Sequence, residues 1–156
     1  MSFYDKGGNL LSLIKTLKIY RKYYANYLDV LWNIKQGGKL IKAKLRNGIE
    51  YTANSSSDLW LKYIENSYKI KLNSRDGVGD WFAVFIRNDY EFLKPENEVV
   101  IDIGGEVGDS AIYFSLKGAT KVIVFEPFPN NFKYLAENIK INNLSTYRFP
   151  IFNHYV

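Results

Sequence analysis

Three glycines fall within five residues, at Gly104, Gly105 and Gly108, and their flanks narrow the folds open to this chain of 156 residues. Before them, Val99, Val100, Ile101 and Ile103 form a β-branched run broken by Asp102, as expected of a parallel strand buried on both faces. After them, Ser110 to Leu116 reads as a helix, with Ala111, Ile112, Ser115 and Leu116 on one side and Gly118 as its stop. Lys121 to Phe125 is then a second strand that delivers Glu126 and Pro127 at its carboxyl end, where open α/β sheets bind ligands.

The residue types say what such a turn can hold. Glycine at 104 and 108 lets the backbone bend sharply and lets a ligand approach the main chain beside the exposed N–H groups of a helix start. Glu126, roughly 20 residues beyond the turn, is placed to accept hydrogen bonds from a ribose diol. The spacing is D-x-G-x-x-x-G, not the G-x-G-x-x-G of dinucleotide binders. Asp102 and Glu106 would repel a pyrophosphate, whereas they suit a cationic sulfonium and an amino group.

The stretch V-V-I-D-I-G-G-E-V-G-D-S-A-I-Y-F, the later G-A-T-K-V-I-V-F-E-P-F-P and the N-I-K-I-N-N of Asn138 to Asn143 resemble the FkbM family of S-adenosylmethionine-dependent methyltransferases. The resemblance implies an α/β fold with a partial Rossmann-like, class I methyltransferase sheet. It implies S-adenosylmethionine as cofactor, with Asp102, Gly104, Gly105, Glu106, Gly108 and Asp109 on its methionine side and Glu126 and Pro127 at its ribose. Gly105 stands where the family commonly has alanine and Glu106 where it commonly has asparagine; the first is a mild change, the second adds a charge beside the cofactor.

Upstream, Leu10, Leu13, Leu17, Tyr20, Tyr24, Tyr27, Leu31 and Ile34 recur at three- and four-residue steps, predicting one long helix that ends at Gly37 and Gly38. Lys39 to Leu45 and Ile49 to Ala53 alternate around Asn47-Gly48, predicting a β-hairpin with a type I′ turn. Asp58 or a neighbouring serine is placed to cap a helix through Leu59, Trp60, Tyr63 and Ile64. Asn73 to Gly79 is a turn-rich connection, and Trp81 to Ile86 reads as a buried strand or an aromatic packing segment. Residues 1–94 therefore form a helix and hairpin extension, and 95–156 the first half of the Rossmann-like domain. Within it, after Pro129, Asn130 caps a helix carrying Phe132, Leu135, Ala136 and Ile139 toward the sheet, Asn142-Asn143 closes that helix, and Thr146 to Phe152 supplies a third strand.

Composition excludes some classes. With no cysteine there are neither disulfides nor thiolate metal sites, and no metal is expected. No apolar run approaches the ~20 residues of a membrane span, so a cytoplasmic protein is expected. From Leu10 to Arg46, nine lysines and arginines face the single acid Asp29. Such a segment is either a solvated face or one that attracts an anionic membrane surface as a peripheral site, a phosphorylated substrate or nucleic acid, the last being unexpected because no base-reading motif accompanies it; the Leu/Tyr stripe of the helix packs on its own domain or, alternatively, on a membrane surface or a second copy.

The K-x-D-x-E-G motif of the FkbM family is absent before Val156, and the only histidine, His154, reads as a terminal residue rather than a base. No catalytic residue is assigned. The resemblance implies O-methyl transfer to a small-molecule, glycan or lipid acceptor by a protein whose second half is missing here. The alternative is a non-catalytic remnant serving as a cofactor-binding or interaction module. A first strand left at the sheet edge would be covered in part by Trp60, Trp81, Phe82 and Phe85, and otherwise by self-association or a completing C-terminal chain.

Overall fold

The computed structural model describes residues 10–73, 80–144 and 150–153. The expected start at Met1 to Asn9, the turn residues 74–79, most of the third strand's first half and His154 lie outside the described residues. The chain divides into two compact units, Met1–Ser67 and Tyr68–Val156. The chain from Tyr68 onward thus belongs with the glycine turn, and the break falls earlier than Pro95. The reason is that Asn73 bonds to Asn138 and Phe85 packs edge-on against Tyr113 at 5.8 Å, both partners lying in the second unit.

In the first unit, two helices replace the expected long one: α1, Leu10–Tyr23, and α2, Tyr27–Lys35. The break occurs because Tyr24 to Asn26 leave the helix to pair with the hairpin β1, Ile41–Lys44, and β2, Glu50–Ala53. Tyr24 bridges Leu45 antiparallel, and the Ala25 N–H donates to the Lys44 carbonyl at 2.7 Å. The Asn26 side chain continues this edge as a peptide group would. Its Nδ2 donates to the Lys42 carbonyl at 3.0 Å, and its Oδ1 accepts from the Lys44 N–H at 2.9 Å.

The hairpin is antiparallel with Lys42 opposite Thr52 and Lys44 opposite Glu50. Its turn is not type I′, because Gly48 at φ 90° has a left-handed backbone and Asn47 does not. The bonds from Gly48 N–H to Leu45 O and from Leu45 N–H to Ile49 O instead describe a type I turn followed by a glycine bulge. Helix α3, Ser56–Tyr68, starts as expected: the Ser55 hydroxyl accepts from the Asp58 N–H at 3.1 Å, and Asp58 Oδ2 accepts from the Asn54 N–H at 2.8 Å. Tyr20, Tyr24, Ile41, Ala43, Leu59 and Trp60 form the core, with the Trp60 ring 5.0 Å from Tyr20 and 5.2 Å from Tyr24. Tyr24 and Tyr51 share a 3.0 Å hydroxyl contact, and Tyr51 donates to the Leu59 carbonyl at 2.9 Å.

In the second unit, strands β3 (Val99–Ile103), β4 (Lys121–Phe125) and β5 (Ile151–Phe152) run parallel in the order β3-β4-β5. Of the two readings of Trp81 to Ile86 the packing segment holds and the strand does not: Ala83–Arg87 is a π-helical turn whose buried Phe85 packs on Tyr68 and Tyr113, ended by Asn88 in the left-handed region. Helices α4, Asp109–Leu116, and α5, Pro129–Ile141, follow β3 and β4. Val122, Val124, Ala111, Ile112, Leu135 and Ile139 are buried between sheet and helices. Asn130 is not the cap of α5; Phe128 holds that place without a side-chain bond and Pro129 opens the helix.

β3 is not buried on both faces. Val99, Ile101 and Ile103 are 57%, 63% and 82% exposed, because α4 and α5 lie on the other side of the strand. On the same side, Phe125 opposite Ile103 stacks on Phe152 with ring centres 5.1 Å apart. The aromatic residues expected to cover the strand are used elsewhere, Trp60 in the core of the first unit and Phe85 against Tyr68 and Tyr113.

Candidate functional site

Parallel pairing of Ile103 with Phe125 brings the ends of β3 and β4 level. The Gly104 and Gly105 N–H groups both donate to the Phe125 carbonyl, at 2.8 and 3.2 Å, so the chain turns over the end of β4. Gly104, at φ 81°, is exposed, and no atom approaches within 4 Å of where its Cβ would stand. Gly105 is the opposite case. A Cβ there would overlap the Val124 Cγ1 methyl and come within 3.1 Å of Leu135 Cδ1. Glycine at this position is therefore a packing requirement of this chain, not a mild substitution.

Glu126 is 3% exposed and spans the turn. Its Oε2 accepts from the Glu106 N–H at 2.9 Å and its Oε1 from the Phe128 N–H at 2.8 Å. Each oxygen keeps one further acceptor site. Glu106 itself sits at φ 46°, a strained backbone for a residue with a side chain, and the bond from its N–H helps to hold it there. Pro127 is half-buried beside it.

The other two carboxylates differ in environment. Asp102, half-buried at the fourth position of β3, accepts from the Ser110 hydroxyl at 2.7 Å. Burial raises its pKa above the usual aspartate range, the Ser110 bond opposes this and Glu126 adds to it. Asp109 opens α4 fully buried. Its Oδ1 accepts from the Ser110 N–H at 2.9 Å, whereas Oδ2 has no partner among the described residues. Burial pushes its pKa up to about 7, with the charges of Glu106 and Asp80 acting in the same sense. Tyr90 faces the same acids, and its phenol is raised chiefly by burial and then by Asp102 and Asp109.

All eight residues singled out in the sequence thus lie on or beside one turn. Sequence reading missed the group that fixes it from behind, although the N-I-K-I-N-N stretch contains it. Asn138, fully buried on α5, donates to the Val107 carbonyl at 2.8 Å and the Asn73 carbonyl at 2.9 Å and accepts from the Asn73 N–H at 2.6 Å. One turn on, Asn142 exchanges the same pair of bonds with Lys71. The Lys71–Asn142 pair also borders a groove lined by Ile70, Ile112, Leu116 and Ile141, and none of the eight residues of the turn lines it. Among the described residues no group of three or more acids or histidines is placed to hold a metal ion, and no helix is long and apolar enough to cross a membrane.

No protein-family model matches the chain. Over 139 residues it is 28% identical to a tRNA(Phe) (4-demethylwyosine(37)-C(7)) aminocarboxypropyltransferase of Pyrococcus horikoshii, covering 86% of this chain. The chain spans about half, 49%, of the length of that curated relative. Among solved structures it overlays the hMettl16 catalytic domain in complex with the MAT2A 3′UTR hairpin 1 at a TM-score of 0.50 and 17% identity, over 81% of this chain and 47% of that one. The PRMT6–SAH structure overlays 40% of this chain and 18% of that one, at a TM-score of 0.37 and 22% identity. The fold is the Rossmann-like α/β fold of class I methyltransferases.

Proposed function

We propose that the second unit is the donor-binding half of an S-adenosylmethionine-dependent transferase and that its acceptor is RNA. The observation that carries the donor assignment is the turn itself: open space over Gly104, with Asp102 and Glu106 beside it and Glu126 behind. The residues fit this donor. Carboxylates near the open backbone suit a sulfonium and an ammonium, and the free acceptor sites of Glu126 suit a ribose hydroxyl. The unpartnered Oδ2 of Asp109 adds a buried acceptor at the base of the turn.

When bound, the donor supplies an electrophilic carbon on sulfur, either its methyl or the first carbon of its aminocarboxypropyl arm. The chain's part is to hold that carbon in line with an incoming nucleophile, which by itself contributes several kcal/mol, about 7 or more in well-oriented systems. Gly104 admits the ligand to the backbone, Glu126 and Asn138 keep the turn rigid, and Asp102 and Glu106 fix the orientation by charge. An RNA acceptor draws support from the tRNA-modifying relative and runs against the expectation from the sequence. The second reading, an FkbM-type O-methyl transfer to a small molecule, glycan or lipid, rests on the loop sequence from Asp102 to Asp109 and on N-I-K-I-N-N. A non-catalytic binding module shares the donor site and lacks turnover.

Calorimetric titration with S-adenosylmethionine tests the donor site, and a selective ligand should also raise Tm by mass action. Incubation of transfer RNA with methyl-labelled and, separately, carboxyl-labelled donor then reads which group moves. Neither binding heat nor a Tm rise at millimolar donor would defeat the proposal. Binding with label moving only to small acceptors would favour the FkbM-type reading, and binding without any transfer the module.

A further inference from the structure

The net charge of +5 is carried by one unit alone. Residues 1–67 hold eleven lysines and arginines against five acids, a net of +6, whereas residues 68–156 hold ten against eleven, a net of −1. Within the first unit the fold concentrates that charge. Buried Ile41, Ala43 and Leu45 alternate with exposed Lys42, Lys44 and Arg46, so these three cations stand on the outward side of the hairpin. Neighbours along the strand are about 6.7 Å apart.

The break between α1 and α2 adds two more. Because Tyr24 pairs with Leu45, the end of α1 abuts the hairpin turn, and Arg46 Nε donates to the Arg21 carbonyl at 2.7 Å. This brings Arg21 and Lys22 alongside, the latter with its ammonium 5.1 Å over the Tyr23 ring. Among the described residues only Glu50 pairs with any of the five, with Lys44 at 2.8 Å.

We propose that this surface, formed by Arg21, Lys22, Lys42, Lys44 and Arg46, binds the phosphodiester backbone of RNA. Three outward-facing cations of the hairpin, with two more exposed at the adjoining end of α1, match a row of phosphates, each contact releasing a counterion. The surroundings are polar, with Thr52, Asn47 and Glu50 exposed among the cations. Of the exposed apolar side chains of this unit, Leu11 and Leu13 belong to the opposite end of α1, about 15 Å away at 1.5 Å per residue, Leu28 and Trp32 belong to α2, and Leu40 lies two residues before Lys42. The inference rests on the RNA-acceptor reading and names where that acceptor is held.

The test uses the full chain, a labelled oligouridylate and fluorescence anisotropy across a salt series. The triple variant Lys22→Gln, Lys42→Gln, Lys44→Gln should bind at least about tenfold more weakly near 0.1 M salt, with the log–log salt slope reduced by about two, at about 0.7 per lost phosphate contact. The arginine variant Lys22→Arg, Lys42→Arg, Lys44→Arg should keep affinity and slope, which separates charge from folding. RNA binding by the parent chain with an unchanged slope in the glutamine variant would overturn the surface and leave the RNA acceptor standing. Failure of the parent chain to bind RNA at low salt, or its capture by phosphatidylserine vesicles instead, would overturn both.

Discussion

Glu126 Oε2 accepts the Glu106 N–H at 2.9 Å, so the residue at the end of β4 holds in place the strained residue that follows β3. Glu126→Ala should therefore cost stability as well as ligand. Two backbone donors in a buried setting lose their acceptor, at about 1–3 kcal/mol each before relaxation. Urea unfolding should show this, and the donor-dependent rise in Tm should vanish with it. A variant as stable as the parent would mean that the turn holds itself.

Gly105→Ala should destabilise the second unit by about 1–3 kcal/mol, because the new methyl overlaps Val124 and crowds Leu135. Val124→Ala in the same chain should recover part of that loss. A double-mutant cycle measured by chemical denaturation reads the coupling, which should be favourable and exceed about 0.5 kcal/mol.

Asn138→Leu keeps the branched shape and the number of heavy atoms and removes the amide. It leaves the Val107 carbonyl and both polar groups of Asn73 unpaired, and should cost about 2 kcal/mol or more. Hydrogen exchange should quicken first at the amides of Gly105 to Gly108. Uniform quickening across β4 as well would instead indicate a global loss of stability.

Asp109 should make stability fall as pH rises through the acid range. Its ordinary value of 3.8 is raised to about 7 in the fold, so between these values the folded chain holds a proton that the unfolded chain has released. That contribution is full below 3.8 and is gone above about 7. Asp102, also raised, acts in the same direction. Asp109→Asn should flatten the slope and stabilise the protein at pH 8, as read by Tm across pH; an unchanged profile would show that Oδ2 is solvated in solution.

Much of the donor unit was legible because its signals are local. The run from Val99 to Ile103, Gly104 with Gly108, and Glu126 at the end of the next strand each state their conformation within a few residues. The first unit was less so: Leu10 to Ile34 keep helical spacing throughout, yet Tyr24 to Asn26 gain more by pairing with Lys42 to Leu45, a partner some twenty residues away. Asn138 was invisible as a positioning group for the same reason, since its partners Asn73 and Val107 are distant in sequence. The turn type failed on one angle: Asn-Gly permits a left-handed backbone at both residues, and this hairpin uses it only at Gly48.

The Asn26 amide occupies the last rungs beside Lys42 and Lys44, which seals that side of the hairpin. β3 has no counterpart: it ends its sheet with no described strand beyond it and its apolar side chains in the open. On the far side, the described part of β5 is Ile151–Phe152. Two copies meeting at Val99 to Ile103 about a twofold axis would cover each other's exposed strand, so light scattering should find a dimer whose share grows with concentration.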